Sequence, residues 1–306
     1  MRILEIQLKS SMKYMKVFTL VIVCCLFFAS SAFAAVSLAY PQKAGLGEPF
    51  LVRITSDTNL DSASVNWLGA AVHPEIENWK GKYVALVMLG TDVLNDKAGK
   101  KNLTIKVVEN GKERSFKRKI KIYNKKYKVQ RLTLPEKMVT PPKEVLERIR
   151  HDSVEVKAAK ETQSAKKMWA VPFIKPTKGA ESSPYGARRI LNGIPKNPHR
   201  GLDFRGTKGT DVCAMADGKV ILVKNHYYAG NCIYLDHGNG VVTMYFHLSQ
   251  FDVKEGDMVV RGQTIGRIGA TGRVTGPHLH MSASVQGKLV DPSFLLEKNT
   301  DKLLGL

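Results

Sequence analysis

From residue 169 to residue 296 the chain keeps returning to short runs of β-forming residues cut by glycine, with almost no helical periodicity. The runs lie at 220–223, 232–235, 241–246, 258–260 and 264–265, with turns such as His237-Gly238-Asn239-Gly240 between them. Such a pattern folds as an antiparallel β domain, a rigid support whose loops wall a groove. On that support, side chains two apart in a strand share a face, so His278 and His280 point the same way. Two adjacent imidazoles are poor core material and suit a metal. His199 and Asp203, four apart, also share a face. Two imidazoles and one carboxylate make three ligands for a catalytic zinc with a fourth position open to water. That count leaves one histidine of the 278/280 pair free as a base beside the metal. Tyr245-Phe246-His247-Leu248 supplies another imidazole.

The region before this domain reads as a separate β module. Phe50, Val52 and Ile54 alternate with polar neighbours, residues 83–89 form a continuous apolar run, and Leu103, Ile105 and Val107 alternate again. Asn110-Gly111 marks a tight hairpin turn. Several short strands at regular spacing predict an immunoglobulin-like sandwich over residues 35–124. The lysines at 117, 119 and 121 read as a solvated sheet face. Residues 125–168 read as a helical, polar linker. Within it Val145, Leu146 and Ile149 form one apolar helix face, and residues 157–167 are expected to be mobile. The fold class predicted for the whole chain is mainly β.

Residues 1–34 have the layout of a secretory signal: Lys9, Lys13 and Lys16, an apolar run at 17–28, then Ala32-Phe33-Ala34. The reading predicts export to the periplasm or cell envelope, or secretion, with membrane contact only through this segment if it stays uncleaved. The formal charge is +20; residues 1–34 hold four basic residues and one acid, so the remainder carries +17. Such a charge favours an anionic polymer. Nucleic acid fits poorly with export, and an anionic cell wall fits well. Cys213 and Cys232 lie in β-like runs; if those strands are neighbours, a disulfide would staple them, worth roughly 3 kcal/mol.

The segments also carry a family pattern. Ser183-Pro184-Tyr185-Gly186-Ala187-Arg188-Arg189, His199 to Asp203, Ala216-Asp217-Gly218, Tyr245 to Leu248, Gly262-Gln263-Thr264-Ile265-Gly266 and Gly276 to His280 together resemble the M23 zinc metallopeptidases, the lysostaphin-type peptidoglycan endopeptidases. The resemblance covers residues 169–297 and leaves 298–306 as a tail. It implies one zinc per chain on His199, Asp203 and His280, with His278 as general base toward a zinc-activated water. His247 then stands across the groove, orienting the nucleophile or stabilising the carbonyl oxygen. It implies peptidoglycan stems and cross-links as substrate. In the family the segment before the first ligand borders the substrate groove, which makes Tyr185, Arg188 and Asn192 candidate substrate contacts. Tyr228, on a loop between strands, is a fourth. His237 reads as a surface turn residue, and Arg200 as pointing away from the metal. Two other functions are open at this point: a non-catalytic wall-binding regulator or amidase activator, and a secreted protease acting on proteins.

Overall fold

The computed structural model of the chain describes residues 36–306. The signal expected at residues 1–34 lies outside the described residues. The first region holds two sheets. One orders the strands Ser37–Ala39, Pro49–Ser56, Lys82–Gly90 and Ile76–Trp79. The other orders Lys43–Gly45, Lys112–Tyr123, Gly99–Glu109, Ser62–Trp67 and Ala70–Val72. Asn110 and Gly111 take positive φ (51° and 70°), and Glu109 pairs with Lys112 across them. That is the backbone a two-residue hairpin demands. Phe50 and Trp67 meet edge to face at 5.2 Å, and the Trp67 indole N–H donates to Gly90 O from the other sheet (2.7 Å). Both rings are fully buried, worth roughly 2–3 kcal/mol each.

Within the apolar run at 83–89, Val87, Met88 and Leu89 are buried on both faces, for a specific reason. Leu51 and Met88 are cross-strand partners, and they belong to the same core as Tyr185, Val290, Leu295 and Leu303. The β module and the C-terminal domain therefore share one core. Residues 157–167 are stitched down rather than loose: the Asn239 N–H donates to Ser164 O (2.7 Å) and Gln163 Nε2 donates to Gln286 Oε1 (3.2 Å). The expected tail also docks, because the short helix Asp301–Leu304 buries Leu303 and Leu304. Among the described residues no helix is long and apolar enough to cross a membrane.

The connection adds a strand and a helix to the second region. Val129–Leu132 runs parallel to Arg188–Leu191. The helix Leu146–Lys160 follows a 3-10 turn, Lys143–Val145. Its working face differs from the expected one. Leu146 is exposed, while Ile149, Asp152, Val156 and Lys160 face the groove described below. Polar contacts fix this face. Arg148 Nη2 donates to Asn225 O (3.0 Å) and Oδ1 (2.7 Å), Asp152 Oδ2 accepts the Tyr227 N–H (2.7 Å), and Glu155 Oε2 lies 2.8 Å from His226 Nε2.

The second region is an antiparallel sheet. Its main path runs Glu181–Ser183, Leu202–Arg205, His278–Val285, Val241–Phe251, Gly230–Asp236, Gly218–His226 and Met258–Val259. The large core includes Phe204, Tyr245, Leu279 and Met281; a smaller one, including Tyr234, Met244 and Ala159 of the helix, lies under the helix. Leu279 and Met281 enter the large core, so His278, His280 and Ser282 are forced to the other face.

The predicted disulfide is absent: Cys213 and Cys232 are free thiols. Asp211–Cys213 pairs with Thr264–Ile268, whereas Gly230–Asp236 lies between Gly218–His226 and Val241–Phe251. The two strands are not neighbours. Cys213 meets Thr264, while Cys232 sinks into the small core, where burial pushes its thiol up to about 12.

Candidate metal centre and groove

Sheet register makes the centre. Asp203 pairs directly with His280 across the Leu202–Arg205 and His278–Val285 strands. Facing cross-strand residues hold their side chains within reach of each other. His199 comes from the approach to the first strand, and the turn between it and Asp203 is tight. A Cβ on Gly201 would lie 2.5 Å from Met281 O and 2.6 Å from His280 Nε2, so only glycine lets the backbone pass. Phe246, the partner of His280 on the other side, stacks on its imidazole at 5.2 Å and 9°.

Three atoms converge. His199 Nε2 lies 2.9 Å from His280 Nδ1 and 3.0 Å from Asp203 Oδ1, and His280 Nδ1 lies 2.8 Å from Asp203 Oδ1. The far sides of the rings fix their tautomers. His199 Nδ1 faces Pro184 O at 2.9 Å, an acceptor only, so that nitrogen carries the proton. His280 Nε2 faces Ser282 Oγ at 2.8 Å, and the Ser282 hydroxyl donates onward to Arg200 O (2.9 Å), so Nε2 donates too. What remain at the centre are two imidazole lone pairs and a carboxylate oxygen. Burial pushes His280 down to about 4. Burial raises Asp203, but its close contacts with the His199 and His280 rings outweigh it and hold the carboxyl well below its ordinary range. Arg189 Nη2 holds the other oxygen, Oδ2, at 3.2 Å. With the rings in these tautomers, three acceptors lie within 3 Å and no donor stands between them. A cation satisfies them, and a two-imidazole, one-carboxylate set suits zinc.

His278 and His247 flank the three. His278 Nδ1 lies 2.9 Å from Gly276 O, and its Nε2 lies 3.9 Å from Asp203 Oδ1. His247 Nδ1 lies 2.9 Å from Thr271 O, and its ring centre is 5.0 Å from that of His278. Both rings thus donate through Nδ1 to a backbone carbonyl and keep a bare Nε2. Strict alternation along Val241–Phe251 would send His247 into the core with Tyr245. A register shift against Gly230–Asp236 and a left-handed backbone at His247 (φ 64°) turn it to the metal side. Such strain in a non-glycine residue costs on the order of 1 kcal/mol and persists where a site needs it. Burial first, then the charges of His280 and His278, push His247 well below the ordinary histidine value.

The other expected site residues divide. Tyr228 lines the groove with Arg273 Cζ 4.3 Å above its ring. Tyr185 does not reach the groove: it is 2% exposed, its hydroxyl donates to Leu289 O (2.7 Å) and accepts from the Val93 N–H (3.2 Å). Asn192 sits at a turn and holds the connection in place, accepting the Leu134 N–H and donating to Leu134 O, both at 2.9 Å. Arg188 is exposed on its strand, outside the groove lining. Arg200 pairs with Asp92 at 3.3 Å. His237 is fully buried instead of at the surface; its ring nitrogens lie 2.6 Å from Asp217 O and 2.7 Å from Thr243 Oγ1. Sequence reasoning missed Ser282, although it shares the face of His278 and His280 by the same period of two. It missed Arg273 as well, for which no sequence signal exists. A second trio with metal-like spacing, His151, Asp152 and Glu155, lies on the helix. Its two carboxylates are engaged in the contacts that fix the helix.

The buried histidines set an acid limit on stability. Burial lowers His237 and His247 from the ordinary value near 6.5. Below that value the unfolded chain takes up protons that the folded one refuses, so their contribution is full above pH 6.5 and declines as pH falls toward the folded values. In metal-free protein we expect the unfolding free energy to drop between pH 7 and pH 5, by up to about 1.4 kcal/mol per pH unit for each such histidine. Urea melts across that range check it, and a flat profile would contradict the assignment.

The model for Peptidase family M23 matches residues 197–292. The peptidoglycan DD-endopeptidase ShyA of Vibrio cholerae is 48% identical over 112 residues, 36% of this chain and 26% of that protein. The DD-carboxypeptidase/endopeptidase Mpg of Neisseria meningitidis is 42% identical over 111 residues, 36% of this chain and 26% of that protein. The matched stretch thus spans about a quarter of these relatives. A crystal structure of a peptidase M23 from Pseudomonas aeruginosa is 30% identical and covers 77% of this chain and 88% of that one, with a TM-score of 0.59. With the domain model on the histidine centre and the solved relative matched over most of its length, the chain belongs to the M23 peptidase family.

Proposed function

We propose that the chain is an exported, zinc-dependent endopeptidase that hydrolyses peptide cross-links of peptidoglycan. The observation that carries this reading is the convergence of three acceptor atoms, His199 Nε2, Asp203 Oδ1 and His280 Nδ1, within 3 Å. Zinc held by these residues would supply Lewis acidity toward water and a scissile carbonyl. The protein's own residues do the rest. Pro184 O and Ser282 Oγ fix the ligand rings, and Arg189 fixes the carboxylate. His278 Nε2, bare and beside the centre, takes the proton of the attacking water and returns it to the leaving amine. His247 is kept neutral by burial and donates through Nδ1, so its remaining nitrogen only accepts. It therefore orients the water rather than stabilising the carbonyl oxygen. The groove beside the centre, about 940 Å³, has the helix Leu146–Lys160 as one wall. The basic charge favours an anionic wall as neighbour.

The relatives' names point to D,D-bonds in peptidoglycan. Digestion of purified sacculi by the zinc-loaded chain, followed by mass analysis of the released muropeptides, tests the reading. Cross-linked dimers are expected to fall to monomers, with the effect lost in chelator and restored by zinc. Intact dimers together with cleavage of protein substrates would contradict it.

A further inference from the structure

The groove holds more cationic charge than its neighbours balance. Arg189 is largely buried; among the described residues its Nε has no hydrogen-bond partner, and one bond, Nη2 to Asp203 Oδ2, serves the whole guanidinium. Arg273, on the loop leading to His278, has its guanidinium carbon 4.3 Å from the centre of the Tyr228 ring. Among the described residues it has no carboxylate within salt-bridge distance. Lys160 of the helix lines the same groove, also with no carboxylate within salt-bridge distance among the described residues. Arg189 and Arg273 both line this one groove beside the centre. Desolvating a guanidinium without an anion is costly, and stacking on a ring offsets only part of the cost. Arg189 already touches the ligand Asp203, so an anion bound between the two arginines lies next to the reacting centre.

We propose that Arg189 and Arg273 form a clamp for a free α-carboxylate on the leaving side of the scissile amide. Their planar donor forks match a carboxylate two bonds at a time, which an ammonium cannot do. This rests on the hydrolase reading above and narrows its substrate. The bond cut would join an acyl donor to an amine whose own α-carbon carries a free carboxylate. Terminal D,D-bonds and cross-links onto an amine beside a carboxylate qualify. Bonds inside an oligoglycine bridge carry no such group and do not.

The test uses two peptides identical except that the leaving residue ends in a carboxylate or a carboxamide. With the zinc-loaded full chain, kcat/KM is expected to favour the carboxylate by about 10- to 100-fold, mostly through KM, as charge-assisted hydrogen bonds imply. Arg273→Gln should shrink that preference to about threefold or less, with only one fork left, at unchanged zinc content. Arg273→Lys, which keeps the charge but not the fork, should fall between. Equal rates on the two peptides in the unsubstituted chain, or full preference in Arg273→Gln, would overturn the clamp. Calorimetric binding of the same pair to zinc-loaded His278→Ala separates the two claims. Tighter binding of the carboxylate peptide, with no cleavage of either peptide by the unsubstituted chain, sinks the hydrolase reading and keeps the clamp. Equal binding sinks the clamp alone.

Discussion

Replacing His280 with alanine is expected to cost the chain its metal and its hydrolytic activity together. His280 Nδ1 is one corner of the three-atom cluster, and its proton is fixed on the far side by Ser282. Without it one nitrogen and one oxygen remain, too few for a zinc site with three protein ligands. Zinc at a hundredfold excess over its dissociation constant stabilises a binding protein by about 2.7 kcal/mol, and that increment should vanish in His280→Ala. The metal-free variant carries a second signature. The substitution removes one of three crowded acceptors, so it should be no less stable than the metal-free parent beyond the ordinary loss from a smaller side chain. Zinc titration with thermal unfolding of both proteins reads the two effects. Equal zinc stabilisation in parent and variant would show that His280 is not a ligand.

His278→Ala should separate what His280→Ala loses at once. The His278 side chain donates to Gly276 O and keeps Nε2 3.9 Å from Asp203 Oδ1, near the centre but outside the three-atom set. Removing it leaves the ligand atoms and their supports in place, so one zinc per chain should remain. A positioned general base contributes about 10²–10⁴-fold, and kcat should fall by that factor with KM little changed. Loss of zinc from His278→Ala would move it into the ligand set and leave the base unassigned.

The parts of the site that follow from local rules were legible in the sequence. Period two alone put His278 and His280 on one face, and the β-rich, glycine-cut pattern predicted the sheet that carries them. The resemblance chose His280 over His278 as ligand, and the ring partners in the structure give the physical reason: only His280 presents Nδ1 toward Asp203 and His199. Other features depend on contacts remote in sequence. His247 reaches the centre through a register shift and a left-handed backbone that alternation does not announce. Tyr185 looked like a substrate contact and His237 like a surface turn residue because their covering partners, Leu289 and Val93 for one and Asp217 for the other, come from distant segments. Residues 157–167 looked mobile because they are polar. Polar groups in that stretch are what tie it down: Ser164 bonds Asp236 and the Asn239 N–H, and Gln163 bonds Gln286, so composition misled where hydrogen-bond accounting would not. The disulfide failed for a topological reason: two cysteines in strands need those strands to be neighbours.

The central claim is that His199, Asp203 and His280 close on a cation. Anomalous diffraction at the zinc edge from crystals of the zinc-loaded chain tests it most directly. The account predicts a single strong peak within about 2.0–2.2 Å of His199 Nε2, Asp203 Oδ1 and His280 Nδ1. A map with no peak among those atoms, or with the peak held by His278 or His247 in place of one of them, would contradict it.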